Sequence, residues 1–197
     1  MTDIFSAKAP KVMADLVRDF SLTTEEAAAI LGNIGHECNG FKTLQEIKPV
    51  VPGSRGGWGW CQWTGPRRKD FEAWCNRKNY NPSSDVANYS FLFRELVGPE
   101  KRAIPALKKA EGLRNKVIAF ESSFLRAGVK HYDSRTQWAL KAMKAWTDNA
   151  LPPPPDVEPI EPKEPTPAHI KVLVGALATA LVALAAALGI DIKSLIP

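Results

Sequence analysis

At 197 residues the chain has room for one core of ordinary size and something more, because domains cluster near ~100 to 200 residues. Its three cysteines are odd in number and form no CxxC pair, which excludes a disulfide framework and a cysteine zinc site. The net charge of +5 understates the front of the chain: three Lys and five acidic residues fall in residues 152–197, leaving 23 basic and 16 acidic side chains, a net +7, over residues 1–151.

The opening stretch, "MTDIFSAKAPKVMADLVRDF", carries acidic residues and no apolar run of signal-peptide length, so the expectation is a protein that stays in a cytoplasm. Residues 9–20 read as a short amphipathic helix. "TTEEAAAILGNIGHEC" follows, with Thr23 three residues before Glu26 in the spacing of a capping box, and Asn39-Gly40 predicts its end. Between Lys42 and Gly59 the periodicity breaks up around Pro49, Pro52, Gly53, Gly56, Gly57 and Gly59, as in a loop or small β-hairpin.

Helical spacing resumes at "PRRKDFEAWCNRKN", where Phe71, Trp74 and Cys75 share a face. It continues at "SSDVANYSFLFRELV", which Ser83 or Ser84 can cap and where Val86, Tyr89, Phe93 and Leu96 recur in step. Two further helices are expected over residues 112–126 and 133–147. The fold class predicted is therefore α+β and mostly helical, with one irregular β-like insertion.

Half of the sixteen prolines then lie in "PPPPDVEPIEPKEPTP", too stiff and too acidic to collapse, which reads as a semi-rigid spacer. Beyond it, Val172 to Ile190 is a run of nineteen residues without a charge. As a helix it would span roughly 28 Å, close to the ~30 Å hydrocarbon thickness of a bilayer. The domain organisation expected is residues 1–151, a linker at 152–168, and a membrane helix segment at 169–197. The basic front domain anticipates an anionic partner, a wall polymer or a membrane surface; no nucleic-acid motif accompanies clusters such as "GPRRKDF", so nucleic acid is set aside.

One residue conflicts with its surroundings. Ala27, Ile30 and Ile34 form an apolar stripe whose next member is Glu37. A carboxyl group aimed into apolar surroundings at a helix C-terminus has its charged form disfavoured by burial and by the helix dipole, the condition for a general acid; a core glutamate neutralised by Arg or Lys fits the position equally. Glu46 lies past the helix end and a turn, where it can face Glu37 across a groove, and two carboxylates in unlike settings are what glycosidic-bond cleavage commonly uses. "GGWGWCQWTGPRR" adds glycines that admit a ligand close to the backbone, Trp58 and Trp60 as candidate sugar platforms, and the polar Gln62 and Thr64. His36 and Cys38 flank Glu37 but point apart on a helix, so no metal set is expected.

"GHECNGFKTLQE" followed by "GGWGWCQWTGPRR" resembles the catalytic region of bacteriophage endolysins and phage tail lysozymes of the lysozyme-like superfamily, which also includes plant-type chitinases. The matching residues are His36, Glu37, Gly40, Phe41, Glu46, Gln62, Thr64 and Gly65, and "AFESSFLRAGVKHYDSRTQWALKAM" resembles the closing helices more loosely. The resemblance implies a lysozyme-like domain in which Glu37 is the general acid and Glu46 the second carboxylate, the base of an inverting mechanism. Gln62 and Thr64 would bind sugar or hold the water, with Tyr132 of the closing segment also on the substrate side. Cys38-Asn39 departs from the small pair usual there, and the family includes transglycosylases that use one glutamate.

The expectation is thus an endolysin that cleaves the β-1,4 glycan of bacterial peptidoglycan without a cofactor or metal. It would be held at the host inner membrane from the cytoplasmic side, with a phage holin as a candidate partner. The rival readings are a virion tail lysozyme, a lytic transglycosylase, a chitinase, and a holin-like membrane-perturbing protein with a wall-binding domain.

Overall fold

A computed structural model describes residues 3–46, 49 and 53–149. The chain divides into two units, Met1–Ala150 and Leu151–Pro197, and the described residues all belong to the first. The expected linker and membrane helix lie outside the described residues. Among those described, no helix is long and apolar enough to cross a membrane.

Among the described residues seven α-helices follow in order: α1 (Ile4–Phe20), α2 (Thr24–Glu37), α3 (Gly65–Lys78), α4 (Asp85–Val97), α5 (Ala103–Lys109), α6 (Leu113–Phe120) and α7 (Tyr132–Asn149). A π-helical turn, Glu121–Leu125, extends α6. Local chemistry fixes several of the boundaries. Asp3 accepts hydrogen bonds from the Phe5 and Ser6 N–H groups at the start of α1. At α2 the capping box is complete: Thr23 Oγ1 accepts from the Glu26 N–H at 3.2 Å, and the Thr23 N–H donates to Glu26 Oε2 at 2.9 Å. The α2 helix stops because Asn39, Gly40 and Phe41 all take left-handed backbone angles, with φ of 48°, 63° and 68°. The short α5 has no counterpart in the sequence reading, since Pro105 obscures it. Proline is tolerated there because it sits in the first turn, whose N–H groups have no intrahelical partner.

The expected β region shrinks to two isolated antiparallel bridges among the described residues, Gln45 with Trp58 and Trp58 with Trp63. Positive φ values at Gly53, Gly56, Gly59 and Gln62 turn the chain too often for a ladder to extend.

Helix α2 is the axis of the domain. Every residue from Glu26 to Gly35 is buried, so the apolar stripe expected from the sequence is in fact a helix enclosed on all sides by α1, α6 and α7. The contact with α7 is the most extensive, and glycine permits it. A Cβ on Gly32 would stand 2.5 Å from the Arg135 carbonyl oxygen and 2.6 Å from the Ala139 Cβ. Close approach of these two helices sets the position of everything on the first turn of α7.

Candidate active site

Glu37 is the last residue of α2, and its side chain is 16 % exposed. Of the two settings the sequence left open, the structure shows the neutralising partner and not an apolar pocket: Arg135 Nη2 donates to Glu37 Oε1 at 2.6 Å. Arg135 is itself buried, with Nη1 donating to Asn33 Oδ1 at 3.2 Å and Nε to the Lys130 carbonyl at 2.8 Å. Asn33 in turn donates to the carbonyls of Ala29 and Val117. A chain of hydrogen bonds therefore runs from α6 through α2 to the Glu37 carboxylate and fixes its direction.

The neighbouring His36 shares a hydrogen bond of 2.9 Å between its Nδ1 and Ser134 Oγ, and its ring lies 5.2 Å from that of His131. Burial, together with the charges of Arg135 and His131, lowers the His36 pKa to about 4. This imidazole is neutral at ordinary pH.

Glu46 comes from the segment after α2. Its N–H donates to the Gly57 carbonyl at 2.9 Å, and its Oε2 accepts from the Gly57 N–H at 2.7 Å. The absence of a side chain matters here, since a Cβ on Gly56 would meet Glu46 Oε2 at 2.9 Å. Arg68, buried at the start of α3, holds the same loop by donating to the Gly56 carbonyl at 2.9 Å and to Gln45 Oε1 at 3.1 Å.

Gln62 takes a left-handed φ of 47° and donates through Nε2 to the carbonyls of Leu44 and Gly59. Its Oε1 has no hydrogen-bond partner among the described residues. Thr64 precedes α3 as its N-cap but makes no side-chain cap bond, which leaves an exposed hydroxyl.

His36, Glu37, Glu46, Gln62 and Thr64 line one cleft of about 450 Å³ with Cys61, and its remaining wall is Leu125 to Gly128. That wall hangs on Glu121, a fully buried acid in the π turn. Glu121 accepts from the Ala127 N–H at 2.7 Å, from Lys130 Nζ at 3.2 Å and from the Tyr132 hydroxyl at 3.1 Å. Burial and the Glu121 contact raise the Tyr132 pKa, so the hydroxyl remains a donor.

Three sequence expectations change. Trp60 is 1 % exposed and packs on Phe41 with ring centroids 4.9 Å apart, so it belongs to the core and offers no face to a sugar. Trp58 is half-buried and outside the cleft lining, with Arg68 over its ring at 5.4 Å; it anchors the loop that carries Glu46. Tyr132 also lies outside the lining and positions the opposite wall through Glu121.

Arg135 and Glu121 were missed by the sequence reading. The signal for Arg135 is the one that drew attention to Glu37: it begins the stripe Arg135, Ala139, Ala142 and Ala145 that α7 buries.

A second groove of about 390 Å³ separates α1 from α4, but it is largely apolar and its acids, Asp15 and Asp85, are paired with Lys11 and Lys8. Acid–base chemistry favours the first cleft. Among the described residues no group of three His, Cys, Asp or Glu side chains is placed to hold a metal ion.

Comparison with known proteins accords with this architecture. Residues 7–146 match the family model described as phage tail lysozyme. No curated protein and no solved structure matches the chain. A mostly helical domain whose polar cleft holds two acids from separate segments is what a lysozyme-type lytic function on peptidoglycan calls for, and the chain belongs to the phage tail lysozyme family.

Proposed function

We propose that the cleft cleaves the β-1,4 bond that follows N-acetylmuramic acid, with Glu37 as the general acid. The observation that supports this best is the placement of Glu37 and Glu46 in one polar cleft in unlike settings, one on a buried arginine and one on a loop N–H. In this reading Arg135 stays on Oε1 of Glu37, which is ionised in the free enzyme; Oε2 takes up a proton from solvent as the glycan enters the cleft and hands it to the glycosidic oxygen. Arg135 then stabilises the carboxylate charge left behind, an interaction stronger in the transition state than before it. Glu46 directs a water at the opposite face of the sugar, and Gln62 Oε1 with the Thr64 hydroxyl holds the water or the sugar.

A lytic transglycosylase is the second reading, and a specific observation favours it. Half of the Glu46 carboxylate is committed to the Gly57 N–H, as expected of a structural residue. Digestion of purified peptidoglycan separates the two. Loss of activity in Glu37→Gln and in Glu46→Gln, with reducing-end products, supports hydrolysis; anhydro-sugar products with a retained rate in Glu46→Gln support the transglycosylase. Full activity in Glu37→Gln defeats both.

The apolar run Val172 to Ile190 leads us to assign the whole chain to the endolysin class, held at the host inner membrane until that membrane is breached. Removing residues 169–197 should then release the protein from the membrane fraction and change the timing of lysis. Unchanged behaviour in both, or recovery of the protein in purified particles, would favour a virion tail lysozyme.

A further inference from the structure

The charges around the cleft are unevenly placed. Among its described lining residues Arg126 is the only cation, since His36 is neutral above a pKa of about 4. Arg126 caps the π turn with a φ of 57°, the left-handed conformation in which helices commonly end.

Its guanidinium is anchored end-on. Nη1 donates to Glu100 Oε2 at 2.7 Å and Nη2 to Glu100 Oε1 at 2.8 Å, while Nη1 also reaches the Ser123 carbonyl at 2.8 Å. The Nε–H and the remaining Nη2–H meet no acceptor among the described residues. These two lie along one edge of the group, with the parallel spacing that a carboxylate accepts in bidentate fashion. The side chain is 48 % exposed, so a ligand can reach that edge.

We propose that Arg126 binds a carboxylate of the stem peptide carried by the substituted sugars of the wall glycan, making the cleft selective for peptide-bearing strands over bare ones. Every second sugar of peptidoglycan carries that peptide, and unsubstituted glycans lack it. Its carboxylates are repelled by Glu46 and meet free N–H donors on the Leu125–Gly128 wall. Holding the substituent there fixes which sugar lies on which side of Glu37. Because Glu100 already immobilises the guanidinium, little side-chain entropy remains to be lost on binding. The inference rests on the reading that this cleft cleaves wall glycan.

The test compares the full chain with its Arg126→Gln variant on purified peptidoglycan from which an amidase has removed an increasing share of the peptides. On intact wall the variant should be slower by about fivefold in kcat/KM, the size of one partly solvated charge-assisted contact. As peptides are removed the wild-type rate should fall toward that of the variant, whose own rate stays flat. Arg126→Lys, which keeps a charge but lacks the planar edge, should fall between the two. Equal rates on intact wall would overturn the inference. So would a constant ratio at every peptide content, since that is the mark of a merely structural defect. Wild-type protein that digests no wall at all would instead refute the proposed function, a separate outcome.

Discussion

Glu37 and Arg135 form a pair whose energetics can be worked out before any variant is made. The contact is 2.6 Å, with side-chain exposures of 16 % for Glu37 and 1 % for Arg135. In Glu37→Gln the new amide oxygen can still accept from Arg135 Nη2, and Arg135 keeps its bonds to Asn33 and Lys130. Only the compensating charge disappears, at a cost of about 2 kcal/mol. Arg135→Met removes every one of those donors and strands the carboxylate, at a cost of about 3 to 5 kcal/mol. The double variant leaves no charge unpaired, so it should cost about 3 kcal/mol rather than the sum of the singles, a coupling of roughly 2 to 4 kcal/mol.

Urea unfolding followed by tryptophan fluorescence measures all four corners of this cycle. Activity on purified wall should fall at least ~100-fold in Glu37→Gln, the contribution usual for a positioned acid, and the unfolding curve shows whether the variant is still folded at the assay temperature. Additivity within about 0.5 kcal/mol would refute the account, because two groups that share a buried ion pair cannot respond independently.

Gly32→Ala should destabilise the domain by about 1 to 2 kcal/mol, since overpacking against α7 outweighs a gain of about 1 kcal/mol in helix propensity, and activity should drop as Arg135 is carried away from Glu37. An unchanged melting temperature and rate would mean that α7 can slide freely. Trp60→Ala should cost about 3 to 5 kcal/mol as a core cavity, whereas Thr64→Val should leave stability nearly unchanged and weaken substrate binding. If Trp60→Ala were as stable as wild type, its assignment to the core would fail. For His36 the unfolded side chain takes up a proton near pH 6.5 and the folded one only near pH 4. The unfolded state therefore binds more protons in that window, and stability present above pH 6.5 should decline by up to about 3 kcal/mol as pH falls to 4. His36→Gln should flatten the decline, and identical slopes in the two proteins would rule out this histidine as its source.

What the sequence determined by itself was whatever depends on neighbours along the chain. The Thr23 and Glu26 capping box, the stop at Asn39-Gly40 and the shared buried face of Phe71 and Cys75 in α3 are short-range matters of backbone satisfaction and periodicity, and their signals are local. The face of α4 was not read: of the expected Val86, Tyr89, Phe93 and Leu96 only Leu96 is fully buried, while Val86 is 61 % exposed and the helix turns Ala87, Phe91 and Leu92 inward. The conflict between Glu37 and its apolar neighbours was legible because it too is local. Whether that acid met an apolar pocket or an arginine was not, because the answer lies 98 residues away in Arg135, brought in by the close packing that Gly32 allows. Trp58 and Trp60 show the same limit. Two residues apart and alike in composition, one ended against Arg68 on a loop and the other beneath Phe41 in the core. Only tertiary structure decides which face of an irregular segment turns inward, since a segment without periodicity carries no record of its own orientation.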